Sequence, residues 1–348
     1  MKQSIKYQSL NNKNSEINKG IQILRMILAF LIIQLHCLNI RQTKSIILIG
    51  LSKYHLFYVP IFYVISYYFS YKLFAFKNIE KIKLRIQRII IPYIIWPSLY
   101  FAFNNLICFL FHFKKIIIVK SLFIQLLTGK TFYSVLWFQC NLILSFILLL
   151  IVSFLRSKNF LFNIQLIGIF GYSYYNFHSY YKLFKNEIWQ IKSLIHDFSK
   201  VLFYSAIGIS FGFYIDIDTI KKNRIQIFIF SLFTLFIMKD CLYLTKHFFY
   251  FKIFFHGIGS VIIILIFIIL PLDNFQNKLF NKIIFHITKF TGGVYYLHTK
   301  VHHILKFKIS IFKNRTFIGC IANYIICYLI CFFGTKLFGK TKFKYLFI

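Results

Sequence analysis

Residues 23–37 read ILRMILAFLIIQLHC. The stretch is apolar enough for lipid, yet it carries a guanidinium at Arg25 and an imidazole at His36. Similar apolar runs recur along the chain at about the length, roughly eighteen residues or more, that crosses a bilayer core about 30 Å thick. The chain has 348 residues and is 59 % hydrophobic, with a mean hydropathy of +0.68. That is well above a soluble domain, which sits near half apolar or below. Lipid requires each backbone polar group to be satisfied within its own segment, so the spans are expected to be helices. The alternating pattern of a β-barrel is not seen. The expected fold is all-α: a polytopic membrane helix bundle of about ten transmembrane helices.

The expected spans are 21–38, 56–76, 89–111, 133–155, 160–178, 199–215, 225–243, 253–271, 283–305 and 317–338. No linker divides them, so residues 18–338 read as one membrane domain. A polar basic tail, residues 1–17, precedes it, and a basic tail, residues 339–348, follows. The N-terminal tail lacks a small-residue cleavage site after an apolar core, so the first span is expected to stay in the mature protein. Charge asymmetry between loops is weak. The strongest local signal is KLFAFKNIEKIKLRIQR, residues 72–88, with Lys72, Lys77, Lys81, Lys83, Arg85 and Arg88 against Glu80. It places that loop, and with it both termini, in the cytoplasm. The plasma membrane is the default location.

The net charge is +34, from 42 Lys and Arg against 8 Asp and Glu. The cations are spread over all the loops and no nucleic-acid motif accompanies them. Lys, Ile, Phe, Tyr and Asn, residues of AT-rich codons, are abundant. Base composition and snorkelling at the membrane surface account for the charge better than a nucleic-acid partner does. The seven cysteines fall mostly within spans, without C-x-x-C, and read as small buried hydrophobes rather than as a disulfide framework or a zinc site.

Five local features carry chemistry, each with a plain structural alternative. Arg25 and His36 are eleven positions apart, about three helical turns, so their side chains point the same way within about 20° and about 16 Å apart along the axis. They face either a functional cavity or the two headgroup layers. Arg85 and Arg88 share a helix face ahead of Pro92. They suit an anion such as phosphate, or acidic lipid. The span YHLFYVPIFYVISYYFSYK, residues 54–72, carries Pro60 and Ser66. In VLWFQCNLIL, residues 135–144, Trp137 opens a span as interfacial tryptophans do. In KFTGGVYYLHTKVHHIL, residues 289–305, His298 and His302 have metal-ligand spacing, but no acid or cysteine in the sequence nearby completes a set.

In order, these features resemble the acyltransferase 3 family of multispan membrane proteins, in its polysaccharide-modifying branch. The resemblance runs over residues 18–338. It rests on the Arg25…His36 pair, the V-P-I-F…S stretch of the second span, R-x-x-R-x-x-x-P before the third, L-W-F at the fourth and Y-x-L-H near the ninth. It implies transfer of an acyl group, usually acetyl, from cytoplasmic acyl-CoA to a hydroxyl of a cell-surface or lipid-linked carbohydrate. Acyl-CoA would be a donor substrate, with no bound cofactor or metal. The implied catalytic residues are His36 and Arg25, and the implied acyl-CoA-binding residues are Arg85 and Arg88. One departure is Tyr67, which stands where the family carries a glycine, so the donor cavity is expected to differ.

An imidazole, with an unperturbed pKa of about 6.5, suits His36 to take the hydroxyl proton. The arginines suit the developing oxyanion and the phosphates of CoA. No acid lies on the first span to orient His36, so Tyr, Ser, Asn or a backbone carbonyl from another span is expected there. The rival reading is a transporter or flippase for a polysaccharide or lipid-linked sugar. Proton-driven transporters bury Asp or Glu in their spans, whereas the acids here fall almost entirely at span ends or in loops.

Overall fold

A computed structural model describes residues 19–37, 55–75, 78–110, 117–129, 136–155, 159–180, 189–215, 217–244, 252–270, 278–305 and 317–348. The tail at 1–17 lies outside these, as do Glu16, Glu187, Asp216 and Asp273. Every element among the described residues is helical. In chain order they are α1 (Lys19–Cys37), α2 (His55–Tyr68), α3 (Tyr71–Ala75), α4 (Ile79–Leu110), α5 (Val119–Thr128), α6 (Trp137–Leu155) and α7 (Phe160–Tyr180). There follow α8 (Trp189–Tyr214), α9 (Ile217–Lys222), α10 (Arg224–Leu244), α11 (Lys252–Ile269), α12 (Lys278–Lys289), α13 (Thr291–Leu305) and α14 (Phe317–Phe338), with a final 3-10 helix over Lys342–Leu346.

Four of them, α1, α4, α6 and α14, are long and apolar enough to cross a membrane by length and composition. Large apolar side chains on outer faces stay exposed, among them Phe230, Phe233 and Phe236 on α10 and Phe103, Leu106 and Phe109 on α4. Such contiguous apolar surface suits lipid rather than water. The protein is a membrane-embedded helical bundle.

Helix α1 is the central post. It packs against α2, α11, α12, α13 and α14, and it buries Leu24, Leu28, Leu31 and Ile32 together with Ile33 and Cys37 on another side. Helices α7 and α8 pack closely through small residues, Gly168 facing Ala206 and Gly171 facing the Ser199 carbonyl, as membrane helices do.

Several elements differ from the sequence expectation. The second span is interrupted: α2 ends at Tyr68, and the short α3 follows a turn. Arg85 and Arg88 do not sit in a loop before the third span, because α4 runs without a break from Ile79 through Pro92 and Pro97 to Leu110. A short helix not expected as an element, α5, ends at Gly129, whose φ is 68°. There α6 begins so close that a Cβ would sit 2.7 Å from the Trp137 backbone.

The ninth span divides into α12 and α13. The Phe290 amide donates to Ile287 O at 3.2 Å, and Phe290 O accepts from the Val294 amide at 2.9 Å, so one helix closes as the next opens. Helix α12 carries Lys278, Lys282, His286 and Lys289 at spacings of four, four and three, which is one polar face. That pattern belongs to a helix lying along an interface, not to one crossing it.

Candidate functional site

Arg25, Arg85 and Arg88 come together. With Lys289 they line one cavity of about 550 Å³, whose other walls include Gln22, Ser66, Phe138, Gln139, Thr291 and Tyr295. No acidic side chain among the described residues lines it. The cations arrive on three helices, α1, α4 and α12. Arg25 donates through Nη1 to Gln22 Oε1 at 3.3 Å and through Nη2 to Thr291 Oγ1 at 3.4 Å. Arg85 donates through Nη2 to the Ser66 carbonyl at 2.9 Å, and its guanidinium carbon lies 5.6 Å from the centre of the Phe146 ring.

Another donor of that guanidinium, Nε of Arg85, is buried with no hydrogen-bond partner among the described residues. On the same wall Oε1 of Gln139 is likewise buried without one. A buried polar atom without a partner costs about 1–3 kcal/mol. Both atoms belong to residues of the cavity wall.

Ser66 lies two residues before the close of α2, where Arg85 reaches its carbonyl. Tyr67 points away from the cavity. It is fully buried, its hydroxyl is hydrogen-bonded to Ser145 Oγ, and its ring meets Phe146 edge-on at 5.5 Å. Gly208 of α8 passes close to the base of this side chain, where a Cβ would lie 2.7 Å from both Tyr67 Cβ and Val64 O. Tyr67 thus sits within the protein core and does not fill the cavity.

His36 does not line this cavity. It is exposed at the far end of α1, and one face of its ring lies against His298, with centroids 5.2 Å apart and planes at 43°. His298 is fully buried. Its Nδ1 is 2.8 Å from Tyr295 O, while Nε2 has no hydrogen-bond partner among the described residues. The ring of Tyr295, which lines the cavity, is 5.8 Å from that of His298. Tyr295, His298 and His36 thus form a continuous run of rings from the cavity wall to the end of α1.

Behind the histidines sits Asn323, fully buried on α14. Its Nδ2 donates to His298 O at 3.0 Å and to Cys37 Sγ at 3.1 Å, and Oδ1 accepts from Cys327 Sγ at 3.4 Å. One amide thereby ties α1, α13 and α14 together. The described cysteine side chains are buried thiols, and no three His, Cys, Asp or Glu side chains among the described residues come together as metal ligands. One acid lies deeper than its sequence position suggested: Asp197 is inside α8, paired with Lys200 at 2.8 Å.

Sequence reading singled out Arg25, His36, Arg85 and Arg88 but missed Lys289, Thr291, Gln139 and the contact between His36 and His298. A signal for Lys289 was present in the four-four-three spacing of cations on α12. No protein-family model, no curated protein and no solved structure matches the chain.

Proposed function

We propose that the protein is an integral membrane O-acyltransferase, similar to the acyltransferase 3 family. It would move an acetyl or other acyl group from cytoplasmic acyl-CoA to a hydroxyl of a cell-surface or lipid-linked carbohydrate. The observation that carries the reading is the cavity. Three arginines from two separate stretches of sequence line it, joined by Lys289 from a third.

An anionic ligand answers these cations. The side-chain amide of Gln139 on the same wall suits the amides of a pantetheine arm. The apolar walls at Phe62, Ile65 and Phe138 suit the methylenes of such an arm. In this reading both termini are cytoplasmic, and the cavity opens to the donor side.

His36 lies about 16 Å along α1 from Arg25, a span an extended pantetheine arm can bridge. The acceptor hydroxyl gives its proton to an imidazole nitrogen of His36 as its oxygen attacks the thioester carbonyl. The tetrahedral oxyanion collapses, the C–S bond breaks, and CoA leaves as the thiolate. The proton on His36 passes to that thiolate, so the products are an ester and CoA thiol. His298, packed on His36 and held by Asn323, positions the imidazole in the place of the acid that span one lacks.

The test uses membranes carrying wild type or His36→Ala at equal expression, with radiolabelled acetyl-CoA. Label entering lipid-linked or polymeric carbohydrate with wild type alone supports the reading. Equal turnover in both removes His36 from the mechanism. Sugar translocation by wild type without CoA release replaces the enzyme with a transporter.

A further inference from the structure

A second chamber, of about 700 Å³, adjoins the first. The two share Arg88 and Lys289 in their walls. The second adds His286, Lys336, Lys344 and Tyr345, and no acidic side chain among the described residues lines it. Four fixed cations therefore converge on one concavity from α4, α12, α14 and the 3-10 helix.

Each of the four rests on an aromatic ring. Arg88 and Lys344 lie over Tyr345 at 5.7 and 5.5 Å, Lys336 over Phe332 at 4.6 Å and Lys289 over Phe290 at 5.5 Å. Ring contacts hold a cation in place without cancelling its charge. Like charges gathered in a concavity repel one another and draw in a counter-ion.

The chamber is built, not incidental. Its floor is the segment 342–348, which Trp96 holds by donating its indole N–H to Leu346 O at 3.2 Å. Phe347 stacks on Phe338 at 5.8 Å. The backbone of Phe347 and Ile348 passes so close to α13 that a Cβ at Gly292 or Gly293 would sit 2.5 Å from Ile348 O or 2.7 Å from Phe347 O. The glycine pair of T-G-G leaves room for this segment. The amphipathic α12 beside it, with its single polar face, sets the chamber at the membrane–water boundary.

We propose that the second chamber binds phosphate esters, and that Lys336 and Lys344 hold the phosphomonoester at the nucleotide end of the acyl donor while Arg88 and Lys289, shared by both chambers, hold its diphosphate. This rests on the donor reading of the first chamber. The same phosphate-ester chemistry is offered by an anionic lipid headgroup, and the experiment separates the two sources.

Binding is measured by calorimetry on the full chain in neutral detergent, with coenzyme A, 3′-dephospho-coenzyme A and adenosine 3′,5′-bisphosphate as probes. The proteins are wild type, the double variant Lys336→Gln/Lys344→Gln, and Lys282→Gln as a control on the same interfacial helix outside the chamber. Wild type and Lys282→Gln are expected to bind coenzyme A at least about tenfold more tightly than the dephospho form, as one charge-assisted phosphate site implies. The double variant is expected to lose that preference while its affinity for dephospho-coenzyme A, and its melting temperature, stay unchanged.

Coenzyme A binding that ignores Lys336 and Lys344 overturns the chamber and leaves the donor reading standing. Lysine-dependent binding of the bisphosphate without binding of coenzyme A overturns the donor reading and keeps a phosphate-ester site. Lysine-dependent binding of nanodiscs rich in phosphatidylglycerol, with no nucleotide binding, assigns the chamber to lipid and overturns the nucleotide. Binding of no probe overturns both.

Discussion

The imidazole rings of His36 on α1 and His298 on α13 lie 5.2 Å apart at 43°, one exposed and the other fully buried. An exposed imidazole backed by a buried one has an open face for an incoming hydroxyl and a fixed face against the protein. The buried ring is itself fixed, by its Nδ1 at Tyr295 O and by Asn323 on its backbone carbonyl.

Replacing His36 by Ala is expected to lower kcat for acyl transfer by about 10²–10⁴-fold, the usual worth of a general base, with KM for acyl-CoA little changed. Steady-state kinetics on purified protein check this. His298→Ala is expected to lower kcat by a smaller factor and to shift the pH profile, which a purely structural loss would leave in place.

Arg85 works through geometry as well as charge. Its guanidinium serves Ser66 O with one donor while its side chain lines the cavity. Arg85→Lys keeps the charge but not the fork, so it is expected to weaken coenzyme A binding by about tenfold or more, nearly as much as Arg85→Ala. Rescue of wild-type affinity by lysine would show that charge alone is needed.

Asn323→Leu removes the amide that joins α1, α13 and α14 and leaves the His298 carbonyl buried without that donor. The expected cost is about 1–3 kcal/mol, read as a lower midpoint of thermal unfolding in detergent. An unchanged midpoint would mean that the carbonyl finds another partner.

Tyr67→Gly is expected to harm this protein. The side chain is fully buried and fits the gap beside Gly208, so its loss opens a cavity costing about 3–5 kcal/mol. Gly208→Ala, the reverse error, is expected to cost about 1–3 kcal/mol by overpacking against Val64 and Tyr67. Unfolding midpoints of the two variants, and of their combination, test whether the positions compensate.

Run length and apolar content were enough to recover most helices. The tenth expected span, 317–338, coincides with α14, and 160–178 nearly matches α7. Helical arithmetic also placed Arg25 and His36 on one face at opposite ends. The ninth span failed because its first half is amphipathic and its second half carries Thr, Lys and three His in fifteen residues. Averaged together, the halves resembled one apolar segment.

What the sequence by itself determined is therefore the class of the protein, the approximate extent of its helices and the identity of a few ionisable groups too costly to bury without a reason. Which groups meet was decided by the tertiary structure alone. In a water-soluble helix the polar face marks the outside. In lipid the surroundings are as apolar as the core, so hydropathy does not say which face turns inward. That Arg25, Arg85, Arg88 and Lys289 share a cavity, that His298 backs His36, and that residues 342–348 floor a second chamber follow from close packing at Gly208, Gly292 and Gly293 and from the amide of Asn323. None of these leaves a period in the sequence.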